Sequence, residues 1–234
     1  MPVADPSFGW QEAIAGYFVM MVAAFAVTWL VTDVLGLRRT PYIAVLALTV
    51  VSIGAWYVAW SGTSLAEITS SNLAWSLITG LVVAVAVTPL IRRLPQGRRT
   101  HGLRRAGLFA WEDVAYGVAE ALLLAVYPVL TIWQAATAAG WTDTDGGKVG
   151  AGAVAIVGSL FVILVHHMGY AEFRQHAARP KLLGALLTCG LQALAFLVTG
   201  ALLAPIIAHV ALHFELTLRG AELPPVLRLD VSRG

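Results

Sequence analysis

The sequence predicts an all-α, polytopic transmembrane helical bundle of about seven spans, with the N-terminus outside and the C-terminus cytoplasmic. Three observations predict it. The 234 residues are 59% hydrophobic and only 12% charged, where an average soluble domain carries about 25% charged residues. The apolar residues gather into runs of about 18 or more, and about 20 residues rising 1.5 Å each cover a hydrocarbon core of about 30 Å. Lys and Arg fall in every second connection between those runs, the pattern of loops on the cytoplasmic side.

Seven runs qualify, at residues 13–35, 41–60, 73–91, 111–138, 150–170, 182–198 and 202–218. The last two are short and flank Thr199-Gly200-Ala201 as a tight hairpin, with a single broken or re-entrant element as the alternative. Arg38 and Arg39 follow the first run, and Arg92, Arg93, Arg98, Arg99, Arg104 and Arg105 follow the third. Arg174, Arg179 and Lys181 follow the fifth, and Arg219, Arg228 and Arg233 follow the seventh. Fourteen of the fifteen basic residues therefore share one side, with Lys148 alone on the other. That asymmetry requires an odd number of spans and a cytoplasmic C-terminus.

Trp10, Trp56, Trp60, Trp111 and Trp141 fall near run ends, where an interfacial aromatic belt places them. The arginine-rich stretch 92–105 is explained by topology, is compatible with anionic membrane lipids, and needs no nucleic acid. Residues 1–10 lack a basic leader, so the first run is expected to stay in the membrane. No internal repeat or linker is evident, so residues 1–234 are expected to form one integral domain of the plasma (inner) membrane. A single cysteine, Cys189, excludes an internal disulfide and a Cys-based zinc site.

Ionisable groups inside the runs carry the functional signal, because they are costly in lipid and face a partner or a cavity. Glu120 stands in Ala119-Glu120-Ala121-Leu122-Leu123-Leu124, roughly 13 Å in from the cytoplasmic end at 1.5 Å per residue. His209 and His213, four positions apart, share one helix face roughly 13 and 8 Å from the end of the last run. His166 and His167 lie about 5 Å from the end of the fifth run and point about 100° apart, so at most one joins the same site. All of them fall in the cytoplasmic half, and no polar chemistry in the outer half is expected to compete.

A carboxylate with two or three imidazoles is a ligand set for zinc or another divalent metal, so Glu120, His166, His167, His209 and His213 are the metal candidates. The bland alternative is a neutral Glu120 carboxyl bonded to a neighbouring helix, with imidazoles bonded to backbone carbonyls. Glu112 and Asp113 are candidate bases, or else acidic residues drawn to a helix N-terminus. Glu172 and Glu215 are expected to be solvated, or paired with Arg174 and Arg219. Neither Lys148 nor Lys181 lies in a run, which sets aside a retinal Schiff base.

The stretch Leu202-Leu203-Ala204-Pro205-Ile206-Ile207-Ala208-His209-Val210-Ala211-Leu212-His213 resembles the last motif of the CPBP family. That family comprises CAAX-prenyl proteases of the Rce type, bacterial Abi proteins and bacteriocin-processing proteins. The motif there reads small residue, Leu, Ala, Pro, then His, three residues, and Asn; His213 stands where Asn is usual. Phe161-Val162-Ile163-Leu164-Val165-His166 is similar to the family's Phe, three residues, His, with four residues between. Glu120-Ala121-Leu122-Leu123-Leu124-Ala125 keeps the first Glu of its Glu-Glu, three residues, Arg motif and lacks the second Glu and the Arg.

The likeness covers residues 111–218. It implies that Glu120, His166 (or His167) and His209 are catalytic or metal-organising, in an intramembrane metalloprotease cutting a membrane-associated peptide near the cytoplasmic face. Two other readings of the same residues stay open. One is a non-catalytic subunit, immunity factor or scaffold beside a partner membrane protein. The other is a haem, quinone or proton site using the same histidines.

Overall fold

A computed structural model of the chain describes residues 8–93, 106–107 and 109–219. Arg98, Arg99, Arg104, Arg105, Arg228 and Arg233 lie outside the described residues. The order is α1 Trp10–Val34, α2 Arg39–Ser61, α3 Leu65–Ser70, α4 Leu73–Arg92, α5 Phe109–Ala138, α6 Asp145–Met168, α7 Arg179–Thr199 and α8 Leu203–Arg219. No strand occurs among the described residues. Among the described residues six helices (α1, α2, α4, α5, α6 and α7) are long and apolar enough to cross a membrane, which marks the chain as membrane-embedded. α8 has 17 residues, so it rises only about 25 Å. The short α3 has no counterpart among the apolar runs.

Local chemistry sets the helix ends. Ser64 Oγ accepts the Glu67 N–H at 3.3 Å to start α3, and Thr144 Oγ1 accepts the Gly147 N–H at 3.1 Å to start α6. Gly200 ends α7 at φ +67°, with its N–H 2.7 Å from the Phe196 carbonyl. The left-handed conformation is open to glycine because it has no Cβ to clash. Ser71 and Asn72 donate to the Gly200 and Thr199 carbonyls at 3.4 and 3.2 Å, clamping the reversal. α7 and α8 are therefore two distinct helices joined by a tight turn, not one broken element.

The two ends of the bundle differ in chemistry. One stacks Trp56 on Trp60 at 4.6 Å and sets Trp10 against Trp141 at 5.2 Å. The other carries the ion pairs that join separate elements: Arg39 with Glu112 at 3.2 Å, Arg92 with Glu215 at 3.2 Å, Lys181 with Glu172 at 2.6 Å, and Arg174 with Asp33; the tryptophan end has Lys148 with Asp145 inside α6. Glu215 and Glu172, expected to be solvated or paired with Arg219 and Arg174, thus take Arg92 and Lys181. Arg219 donates instead to the Arg92 carbonyl. Partners at a helix end are chosen by the neighbouring helices, which spacing along one helix does not show.

α1, α2, α6, α7 and α8 wrap α5, and α4 packs behind α7 and α8. Of its apolar stretch 83% is buried, against 28–39% in the other five long helices. Only such a helix offers an intramembrane carboxylate protein on every side.

Candidate functional site

Glu120 ends a short α-helical stretch of α5, Tyr116–Glu120, set between π-helical stretches at Phe109–Ala115 and Ala121–Val126. π turns re-aim side chains away from a regular 3.6-residue repeat and recur at functional sites. Each oxygen of the buried carboxylate then meets partners from other elements. His166 Nε2, from α6, lies 3.0 Å from Oε1. Tyr116 donates its hydroxyl to the same oxygen at 2.7 Å. His209 and His213 Nε2, from α8, each lie 3.0 Å from Oε2. All three imidazoles are buried, and the two on α8 stack at 5.0 Å.

α8 reaches the carboxylate because α5 presents Gly117 to it. A Cβ at Gly117 would lie 3.1 Å from Val210 Cα, the residue after His209. Small residues permit such close helix approach in membranes.

The outward nitrogens are held differently. His166 Nδ1 lies 3.3 Å from the Ala24 carbonyl and 3.2 Å from Thr28 Oγ1. His209 Nδ1 lies 2.5 Å from Gln192 Oε1. His213 Nδ1 and Gln192 Nε2 are buried with no hydrogen-bond partner. From Thr28 the contacts continue to Tyr42 at 3.2 Å, from Tyr42 to Tyr170 at 2.7 Å, and from Tyr170 to Tyr116 at 3.0 Å. Glu120, His166, Thr28, Tyr42, Tyr170 and Tyr116 thereby close a hydrogen-bonded ring across α1, α2, α5, α6 and the loop after α6. Thr28 sits where α1 turns π-helical.

Four of the five residues singled out as metal candidates come together: Glu120, His166, His209 and His213. His167 does not. It donates from Nδ1 to the Ile163 carbonyl at 2.8 Å and packs its ring edge on Phe173 at 5.0 Å. The 100° step between neighbours on a helix sends it away from Glu120. Glu112 and Asp113, the candidate bases, are committed to Arg39 and to the Thr217 hydroxyl, the latter at 2.6 Å.

A second polar cluster, absent from the sequence reading, lies towards the tryptophan end. Tyr57 donates to Gln134 Oε1, Gln134 Nε2 donates to Thr63 Oγ1 at 2.8 Å, and Ser61 lies 2.6 Å from Thr63. The expectation that nothing polar competes there is thus corrected, because amides and hydroxyls are cheap enough to bury without an ionisable signal. Two missed residues of the Glu120 cluster were legible. Tyr116 stands four positions before Glu120, on the same face, and Gln192 interrupts an apolar run. Thr28, Tyr42 and Tyr170 carry no such mark.

The donor chemistry fits a cation. A carbonyl and an amide oxygen only accept, so Nδ1 carries the hydrogen in both His166 and His209. Nε2 of each then meets a carboxylate oxygen at 3.0 Å either through a second N–H, which makes the ring a cation, or through a lone pair turned to a shared cation, so that positive charge completes the cluster. Glu120, His209 and His213 each offer one ligand atom, all within 4.8 Å of one another, and this group can hold a metal ion. Ligand atoms about 2.0–2.2 Å from zinc stand roughly 3.3 Å apart in a tetrahedron. No family model, no curated protein and no solved structure matches this chain.

Proposed function

We propose that the chain is an intramembrane hydrolase of the CPBP type, cutting a membrane-associated peptide near the basic face of its bundle. In this reading α8, packed on α4 and α5, is a seventh and protein-lined span. The N-terminus lies outside and the basic end faces the cytoplasm, in the plasma membrane. One observation carries the proposal: Glu120, His166, His209 and His213 meet in one buried cluster; the first three are residues that the resemblance implies, and His213 stands at its usual Asn position.

Glu120, His209 and His213 hold zinc or another divalent cation, which when bound supplies charge that polarises a carbonyl and acidifies water. Glu120 Oε1, bonded to Tyr116 and His166, is placed to take and return a proton. His166 and Tyr116 fix the plane of that carboxylate, and the buried setting excludes bulk water from it. The test joins metal analysis to cleavage of membrane-anchored peptides in proteoliposomes, read by mass spectrometry. Wild type carries close to one metal per chain and cleaves; Glu120→Ala and His209→Ala retain the fold, lose the metal and do not cleave. Metal-free wild type with a fully active His209→Ala variant sinks the proposal.

One feature favours a second reading, a non-catalytic membrane subunit. The ring through Glu120 and Tyr170 ties four helices together without any ligand. A stoichiometric partner on purification, with function tolerant of Glu120→Gln, would select it.

A further inference from the structure

Gln192 stands on α7, fully buried, in a helix whose other buried residues are small or apolar apart from threonines. Its amide has two ends of opposite character, and the structure uses one of them. Oε1 lies 2.5 Å from His209 Nδ1, while Nε2 is buried with no partner. Had the amide turned over, Nε2–H would donate to a bare Nδ1. His209 would then carry its hydrogen on Nε2 and donate to Glu120 Oε2, and the pair would be complete with no cation at all. With Oε1 inward, Nδ1–H is bound, and a neutral ring then keeps its Nε2 lone pair free for a cation shared with the carboxylate.

We infer that Gln192 is a positioning residue: it holds His209 in the tautomer whose Nε2 can ligate a cation. The inference rests on the metal reading of the Glu120 group. Metal-binding imidazoles regularly donate their other N–H to an oxygen, which fixes tautomer and ring orientation. His166 has the backbone carbonyl of Ala24 in that role. A carbonyl cannot change sides, whereas an amide can, so at His209 the ligating state depends on which way one side-chain amide is turned. His213 Nδ1 has no such partner, which leaves Gln192 as the one side-chain amide that orients an imidazole in this group among the described residues.

The experiment uses full-length protein in detergent with ¹⁵N-labelled histidine, the His209 signals being those lost in His209→Asn. In wild type His209 shows a protonated Nδ1 and an unprotonated Nε2. Gln192→Glu, which keeps acceptor oxygens only, retains that signature and binds zinc as wild type does. Gln192→Met, of similar length but with neither end, mixes the tautomers and weakens zinc binding about 10- to 100-fold, the usual effect of losing such a support. Wild type with the hydrogen on Nε2 overturns the inference, as does Gln192→Met with an unchanged signature and unchanged zinc affinity. Wild type that binds no zinc yet keeps the Nδ1–H signature defeats the metal reading and leaves Gln192's hold on the tautomer standing.

Discussion

At one end of α5, Gln134 shares its amide between Tyr57 and Thr63; at the other, roughly 21 Å along the axis, Glu120 meets three imidazoles and a phenol. Both clusters are buried and both join several helices. They differ in how they are completed. Around Gln134 each side-chain polar atom finds a partner, and no formal charge is involved. Around Glu120 the carboxylate gathers three ring nitrogens and a phenol, while Gln192 Nε2 and His213 Nδ1 have no hydrogen-bond partner. A cluster closed on itself acts as interhelical glue, worth about 0.6 kcal/mol per contact in membranes. A cluster left open, and built around an ionisable group, is where a ligand belongs.

The two clusters should differ most when Glu120 is replaced. Glu120→Ala strips the acceptor from Tyr116 and the carboxylate from between three imidazoles, so it should abolish metal binding. It should also cost about 3–5 kcal/mol, the penalty of breaking a buried charged set. Metal analysis and thermal unfolding in detergent check both. Next in size is Gly117→Leu, which presses a side chain into the α8 backbone near Val210. An overpacked contact of this kind costs about 1–3 kcal/mol, and displacing α8 should weaken zinc affinity by about tenfold or more.

Gln134→Leu sharpens the contrast from the other side. It should lower stability by about 0.6–1.7 kcal/mol, as lost interhelical hydrogen bonds do, and leave zinc affinity untouched in the same titration. The smallest effect falls at His167→Ala, which removes a bond to the Ile163 carbonyl and an edge contact with Phe173. Zinc affinity there should equal that of wild type, and a large loss would show that His167 belongs to the site after all.

Much of the site was legible because cost in lipid is a property of one residue at a time. Glu120 stands alone among alanines and leucines, and His209 and His213 share a face by the arithmetic of one helical turn. The same cost argument, extended to amides, would have marked Gln192 and Gln134. Choosing His166 over His167 was beyond it, since both sit at the same depth on α6. The partners of Glu172 and Glu215 were misassigned for a related reason: a charged side chain at a helix end answers to whichever neighbouring helix ends nearby.

By itself the sequence determined the membrane class, the long helices to within a few residues, and the short list of groups that cannot face lipid alone. These follow from composition and from hydrogen bonding within each helix, both of which are local. Only the tertiary structure decided that Glu120, His166, His209 and His213 share one centre and that His167, Glu112 and Asp113 do not. That outcome depends on π-helical stretches that re-aim α5, on the approach of α8 at Gly117, and on α5 being wrapped by its neighbours. Each of these arises where helices meet, and no period along a single helix records it.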